Sequence, residues 1–195
     1  ADVLKDEGTS HFSVIDNRGM TVACTQTING TFGSLLAVPE IGVILNNEMN
    51  DFTTIPGASN LFGLKQSDRN LPEPGKRPLS SMSPTILLRD GQTAVTAGAS
   101  GGPRIITGTL QVLLEVIHGG KSGQAAVDAP RLHHQWKPEI LRLEAGLAVL
   151  QPELEAVGHD VETTGGVGVV QAIVVHDDGL EPASDPRKGG ASAGW

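Results

Sequence analysis

A threonine hydroxyl needs a base to become a nucleophile, and Thr9 can find one within its own residue. Its α-amine becomes available once the peptide bond between Gly8 and Thr9 is cut. The stretch Gly8-Thr9-Ser10-His11-Phe12-Ser13-Val14-Ile15-Asp16 sets this hydroxyl behind a glycine. It stands at the mouth of a run in which Phe12 and Val14 alternate with His11, Ser13 and Ile15, the pattern of a strand. On these residues alone, a hydroxyl in a strand-entry turn is the plain alternative. Gly98-Ala99-Ser100-Gly101-Gly102-Pro103 is a second chemical stretch, with two glycines where a strand passes into a helix N-terminus. Backbone N–H groups and the helix dipole favour an anion there. The Walker pattern and its lysine are missing, and Gly-Gly-Pro does not fit a dinucleotide fingerprint. An oxyanion hole for acyl transfer is the other use of that geometry. His133 and His134 are the most metal-like pair, yet adjacent side chains diverge on a helix or a strand and no third ligand is spaced nearby. No metal or cofactor is expected. Ser100 with His118 or His134 offers a hydrolase triad only outside the usual Gly-x-Ser-x-Gly elbow.

These residues must be positioned by short elements. The run at residues 12–15 meets the turn Asp16-Asn17-Arg18-Gly19 and resumes over 20–28, with Val22, Cys24 and Gln26 on one face and Thr21, Ala23, Thr25 and Thr27 on the other, a β-hairpin. Residues 41–45 read as a short buried strand ending in the polar Asn46-Asn47-Glu48-Met49-Asn50-Asp51-Phe52. Residues 53–78 hold Pro56, Gly57, Gly63, Pro72, Pro74, Gly75 and Pro78 without a sustained period, which suits a lid or binding loop, or a linker. A second hairpin is expected over 85–88 and 93–97, across Asp90-Gly91. A helix follows Pro103, with Ile106, Leu110, Leu113, Leu114 and Ile117 as its apolar stripe and Gly119-Gly120 at its end. A short helix over 122–127, a strand over 140–143, a helix over 150–157, and strands over 167–175 and near Leu180 complete the order. It lacks regular strand-helix alternation and reads as α+β.

The chain has 195 residues, enough for one well-buried domain or a large part of a two-part protein. Its 14 basic and 22 acidic residues give a net charge of -8, and only 3% of residues are aromatic, which argues against a nucleic-acid partner. The single Cys24 excludes an internal disulfide and a cysteine-built zinc site. No apolar run approaches the ~20 residues of a membrane span. Residues 1–8 are charged and short, unlike a signal peptide, so any export signal is expected outside this chain.

Six blocks in order resemble the small, C-terminal subunit of γ-glutamyltranspeptidase: the Thr9 segment; Thr27-Ile28-Asn29-Gly30-Thr31-Phe32-Gly33; Leu45-Asn46-Asn47-Glu48-Met49-Asn50-Asp51-Phe52; Lys76-Arg77-Pro78-Leu79-Ser80-Ser81-Met82-Ser83-Pro84-Thr85; Gly101-Gly102-Pro103-Arg104-Ile105-Ile106; and Ala129-Pro130-Arg131-Leu132-His133-His134-Gln135-Trp136. The resemblance extends to the tail Ala183-Ser184-Asp185-Pro186-Arg187. It implies an N-terminal nucleophile hydrolase, a four-layer αββα sandwich built jointly with a large subunit of the same precursor, of which this chain holds only the small-subunit part. It implies autocleavage between Gly8 and Thr9, with Thr9 then serving as nucleophile and base. Thr27 matches the threonine that bonds the nucleophile. Asn29, Glu48 and Asp51 match positions holding the α-amino and α-carboxylate ends of a γ-glutamyl group, Ser80 and Ser81 the pair gripping its carboxylate, and Gly101 and Gly102 the oxyanion-hole donors.

The expected activity is γ-glutamyl transfer from glutathione and other γ-glutamyl amides to water, an amino acid or a peptide, through a threonyl ester. The family suggests a periplasmic or secreted setting. Residues 9–195 would be the small subunit, with 53–78 as its lid, and residues 1–8 a remnant of the large subunit's C-terminus or a linker. Phe62 stands where many bacterial members carry tyrosine, so a lid hydroxyl is missing. The large subunit brings an arginine for the substrate carboxylate, and Thr9 here follows eight residues; the chain as it stands is expected to be inactive. Two rival readings are a cephalosporin or glutaryl acylase of the same fold, which the carboxylates Glu48 and Asp51 disfavour, and a non-catalytic fragment used for binding.

Overall fold

The computed structural model describes residues 8–194, so most of the expected remnant, residues 1–7, lies outside the described residues. Its elements are β1 (Thr9–Ile15), β2 (Thr21–Thr27), β3 (Ala37–Val38), β4 (Val43–Ile44), β5 (Thr85–Arg89), β6 (Gln92–Ser100), α1 (Arg104–Ile117), α2 (Gly123–Asp128), β7 (Leu132–His133), β8 (Leu141–Glu144), α3 (Gln151–Ala156), β9 (Val161–Thr164), β10 (Val169–His176) and β11 (Gly179–Ser184). The body is an antiparallel sheet in the order β11-β10-β6-β5. Strand alternation gives it two unlike faces.

One face is apolar. Val95, Ala97 and Ala99 of β6 and Val170, Ala172 and Val174 of β10 meet Ile105, Val112 and Leu113 of α1 and Ala126 and Val127 of α2. Small residues bring the helix close to the sheet: a Cβ on Gly108 would lie 3.0 Å from the Val167 carbonyl oxygen. The Ser122 hydroxyl caps α2 by accepting the Ala125 N–H. The other face carries the β1–β2 hairpin over a polar seam. There the Ser13 hydroxyl bonds Thr96 (3.1 Å), Thr21 bonds Thr93 (2.8 Å), and the His11 ring bonds Thr25 (2.7 Å) and Ser13 (3.1 Å). Burial lowers the pKa of His11 to about 4, so its ring is neutral and serves as one donor and one acceptor. The seam has room for that ring because residue 98 is glycine; a Cβ there would stand 2.3 Å from it.

Helices, sheet and hairpin are three layers of the αββα sandwich. The outer helical layer beyond the hairpin is not formed by the described residues, and the hairpin's outward side chains Phe12, Val14 and Val22 are exposed. A satellite unit joins β7, β8 and β9, with β8 and β9 parallel, around Leu141, Leu143 and Val161. No helix among the described residues is long and apolar enough to cross a membrane.

Two expectations are corrected. Of the expected stripe only Leu113 is buried; Ile106, Leu110, Leu114 and Ile117 are exposed, and Ile105, Gly108, Thr109 and Val112 join Leu113 on the buried face. Close approach to the sheet needs the small residues of the second face. Residues 41–45 do not form a buried strand; the two-residue β4 pairs with β3 in a two-stranded ribbon, and Ile41, Val43, Ile44 and Leu45 are exposed.

Candidate active site

The hairpin register sets Thr9 opposite Thr27. The Gly8 carbonyl accepts the Ile28 N–H at 3.3 Å, which makes Thr9/Thr27 the next, non-hydrogen-bonded pair, where side chains lie closer. Their hydroxyl oxygens are 2.9 Å apart, and Thr9 is buried. In such a pair main-chain groups face away from the partner strand, and Lys188 Nζ donates to the Thr9 carbonyl at 3.2 Å from that outer side. Thr27 Oγ1 also accepts the Asn29 N–H at 2.8 Å, and in the Thr9–Thr27 bond either hydroxyl can donate.

Asn29 takes a φ of 70°, a left-handed conformation that asparagine tolerates. Its Nδ2 donates to the Asn47 carbonyl (3.1 Å), and Asn47 Oδ1 accepts the Gly30 N–H (2.8 Å). The Asn47 N–H donates to the Ile28 carbonyl (3.2 Å). Hydrogen bonds therefore run from Thr9 through Thr27 and Asn29 to the residue before Glu48. Glu48 and Asp51 share one 3₁₀ turn, Glu48–Asp51. Burial, the neighbouring Asp51 charge and a hydrogen bond with Asp51 raise the pKa of Glu48 to about 7; burial also raises Asp51. One Glu48 oxygen, Oε1, is buried without a hydrogen-bond partner.

Ser80 is exposed and Ser81 is half-buried. Ser80 Oγ accepts the Met82 N–H (3.1 Å), and the Ser81 carbonyl accepts the Ser83 hydroxyl (3.0 Å). They reach the acid pair through Asn70, whose Nδ2 donates to the Asp51 carbonyl (2.7 Å) and whose Oδ1 accepts the Leu79 N–H (3.1 Å). Asn47 and Asn70 escaped the sequence reading. Each sits in an aperiodic segment, and an asparagine that hydrogen-bonds across a loop leaves no pattern to find.

Gly101 and Gly102 have φ values of 128° and 57°, and a Cβ on Gly101 would come within 3.0 Å of Gly168 Cα. Their carbonyls accept the Arg104 and Ile105 N–H groups, so the peptide between them turns its own N–H outward from the start of α1. Ser100, just before them, lines with Ser10 and His11 a cleft of about 230 Å³, which brings the glycine turn to the Thr9 end of the sheet. No hydrogen bond joins these glycines to Thr9 among the described residues; in acyl transfer the reacting carbonyl stands between nucleophile and oxyanion donors.

The loop over 53–78 has bonds of its own. Asn60 Oδ1 accepts the Phe62 and Leu64 N–H groups (3.0 Å each), and Gln135 Nε2 donates to the Phe62 carbonyl (3.1 Å). His133 is buried with Nδ1 on Thr107 and Nε2 on Gln135, both 2.8 Å. Among the described residues no cluster of three or more His, Cys, Asp or Glu could hold a metal. His118 caps the C-terminal end of the 14-residue α1, about 20 Å from the Ser100 end, which rules that pair out as a triad.

The family model for gamma-glutamyltranspeptidase matches residues 1–195. The chain is 47% identical over 184 residues to the glutathione hydrolase proenzyme of Escherichia coli K12, covering 92% of this chain and 31% of that protein. It superposes on the gamma-glutamyltranspeptidase of Pseudomonas nitroreducens, solved in complex with L-DON, with a TM-score of 0.89 at 43% identity, over 95% of this chain and 98% of that one. Against the cephalosporin acylase of Bacillus halodurans the TM-score is 0.82 but identity falls to 26%, over 95% of this chain and 34% of that one. The chain spans about a third of the length of the curated relatives it matches.

Proposed function

Because the chain belongs to the γ-glutamyltranspeptidase family, we propose that it is the nucleophile-bearing part of a precursor that cuts itself before Thr9 and then hydrolyses or transfers γ-glutamyl groups. The observation that carries this reading is Thr9 itself, buried behind a glycine with its hydroxyl 2.9 Å from that of Thr27. Self-cleavage frees the Thr9 amine, which accepts the hydroxyl proton as Oγ1 attacks the γ-carbonyl of glutathione or a related amide. The oxyanion draws on the N–H groups at Gly101 and Gly102. The leaving amine takes the proton back from the Thr9 ammonium, and the ester passes its glutamyl group to water or to an acceptor amine.

The head of a γ-glutamyl group is a zwitterion. Glu48 and Asp51 suit its ammonium, Ser80 and Ser81 its carboxylate, and Asn29 braces the segment that carries the acids. The segment over 53–78 serves as the lid of this pocket. The remainder of the precursor completes the sandwich and covers Phe12, Val14, Val22 and the outward stripe of α1. Kinetics of the full-length precursor with γ-glutamyl-p-nitroanilide and glutaryl-p-nitroanilide test the reading. Turnover of the first well above the second is expected, and preference for the glutaryl compound, which lacks the amine, would move the protein to the acylases.

The raised pKa of Glu48 adds a pH signature. Below about pH 7 the empty acid pair holds a proton, and an arriving ammonium must expel it. The KM for a γ-glutamyl donor is therefore expected to rise by about tenfold for each pH unit below about 7 and to level off above it. Initial rates of the processed enzyme between about pH 5 and about pH 9 check this, and Glu48→Gln should flatten the acidic limb. A wild-type KM constant across that range would contradict the assignment.

A further inference from the structure

Asn70 is buried, and its side chain bonds its own loop and the segments on either side of it. Its Nδ2 donates to the Asp51 carbonyl (2.7 Å) and to Gln66 Oε1, and its Oδ1 accepts the Leu79 N–H (3.1 Å). Its main chain is fixed as well. The Asn70 N–H donates to the Ser67 carbonyl (3.0 Å), and its own carbonyl accepts the Thr53 N–H (3.0 Å). Asp51 closes the turn that carries the acid pair, and Leu79 immediately precedes Ser80 and Ser81. No other hydrogen bond among the described residues joins the turn at Glu48–Asp51 to the segment at 79–83.

We propose that Asn70 is a positioning residue that sets the span between the ammonium-binding acids Glu48 and Asp51 and the carboxylate-binding serines Ser80 and Ser81. The inference rests on the γ-glutamyl reading and adds how the two halves of that pocket are held in register. The ammonium and carboxylate of an amino-acid head leave the same carbon, so their separation is fixed and the site must match it. One amide with two donors and an acceptor meets this need, because its planar group makes both contacts in a single orientation. The residue takes no part in the hydrogen bonds from Thr9 through Thr27 and Asn29 to Asn47. Its loss therefore falls on recognition of the head and leaves the nucleophile in place.

The test compares wild-type full-length precursor with Asn70→Asp, which keeps the shape and removes the donors, and Asn70→Ala. Self-cleavage before Thr9, read by intact mass, is expected to be unchanged. KM for γ-glutamyl-p-nitroanilide is expected to rise by about 10–100-fold while kcat stays within about threefold. Preference over glutaryl-p-nitroanilide, which lacks the amine, and over 4-aminobutyryl-p-nitroanilide, which lacks the α-carboxylate, should shrink together, since both halves lose their common register. An unchanged KM in either processed variant overturns the proposal. So does a kcat that falls without a change in KM, or loss of self-cleavage in both variants, each of which marks a merely structural residue. A wild type without γ-glutamyl turnover defeats the γ-glutamyl reading and this inference with it, whereas an active wild type whose KM the variants share defeats the positioning role alone.

Discussion

Thr9→Ala in the full-length precursor is expected to leave a single uncleaved chain and to lower γ-glutamyl turnover by at least about 10⁴-fold. Both losses have one origin, because the same hydroxyl is assigned to the self-cleavage and to the acyl transfer. No neighbour replaces it. Ser10 lies on the opposite, exposed face of β1, and Thr27, 2.9 Å away, has both its amine and its carbonyl committed to peptide bonds within β2. Thr9→Ser keeps an oxygen at the same place and should retain cleavage and turnover at reduced rates. Intact mass and γ-glutamyl-p-nitroanilide kinetics on the three proteins decide the matter. A cleaved Thr9→Ala precursor would remove Thr9 from the mechanism, and an uncleaved wild type would remove self-processing.

Asp185→Ala is expected to destabilise the protein by about 3–5 kcal/mol, the usual cost of stripping one partner from a buried ion pair. Asp185 lies at the junction of three parts of the molecule. Its Oδ2 accepts Arg131 Nη2 (2.6 Å) and the Val170 N–H (2.8 Å), and its Oδ1 accepts the N–H and Nη1 of Arg187 (3.0 and 3.1 Å). Arg131 is 1% exposed, and without Asp185 its guanidinium keeps only the Gly168 carbonyl at 3.3 Å and Glu144 Oε1 at 4.0 Å among the described residues. Glu144 in turn accepts the Arg131 and Val167 N–H groups and the Arg187 guanidinium, which ties β8 of the satellite unit to the main sheet. Denaturant unfolding of the purified protein reads the loss. Breaking the exposed Glu73–Lys76 pair by Lys76→Ala should move the midpoint by no more than about 0.5 kcal/mol. Equal effects of the two substitutions would show that the network contributes no more than a surface pair.

Local pattern carried the reading of elements a long way. The hairpin at β1 and β2, the Asp90-Gly91 turn between β5 and β6, both ends of α1 and the glycine stop after α3 follow from alternation, turn chemistry and capping, which act within a few residues. Partnership is what they cannot carry. The stripe of α1 has good helical spacing, yet all of it but Leu113 is exposed, because periodicity identifies an apolar face without naming what covers it. Ile41, Val43 and Ile44 likewise read as buried and are exposed. At the site, Thr9 was legible as a strand-mouth hydroxyl, and its pairing with Thr27 follows from the hairpin register. The polar residues around them drew their assignments from family resemblance, since acids at a strand end and serines before proline are ordinary surface features. Asn47 and Asn70 act through hydrogen bonds to segments distant in sequence, a geometry that sequence spacing does not encode.

The hairpin reverses the usual arrangement of a sheet. Its inner face, with His11, Ser13, Thr21 and Thr25, is hydrogen-bonded, and its outer face presents Phe12, Val14 and Val22 to solvent, while α1 presents Ile106, Leu110, Leu114 and Ile117 on the opposite side of the molecule. A body with apolar residues on two opposed sides has poor colloidal stability, since each side can take up another copy and contacts on opposite sides do not close. Produced without a covering partner, this chain is an aggregation hazard through sound folding alone, with no misfolded segment required.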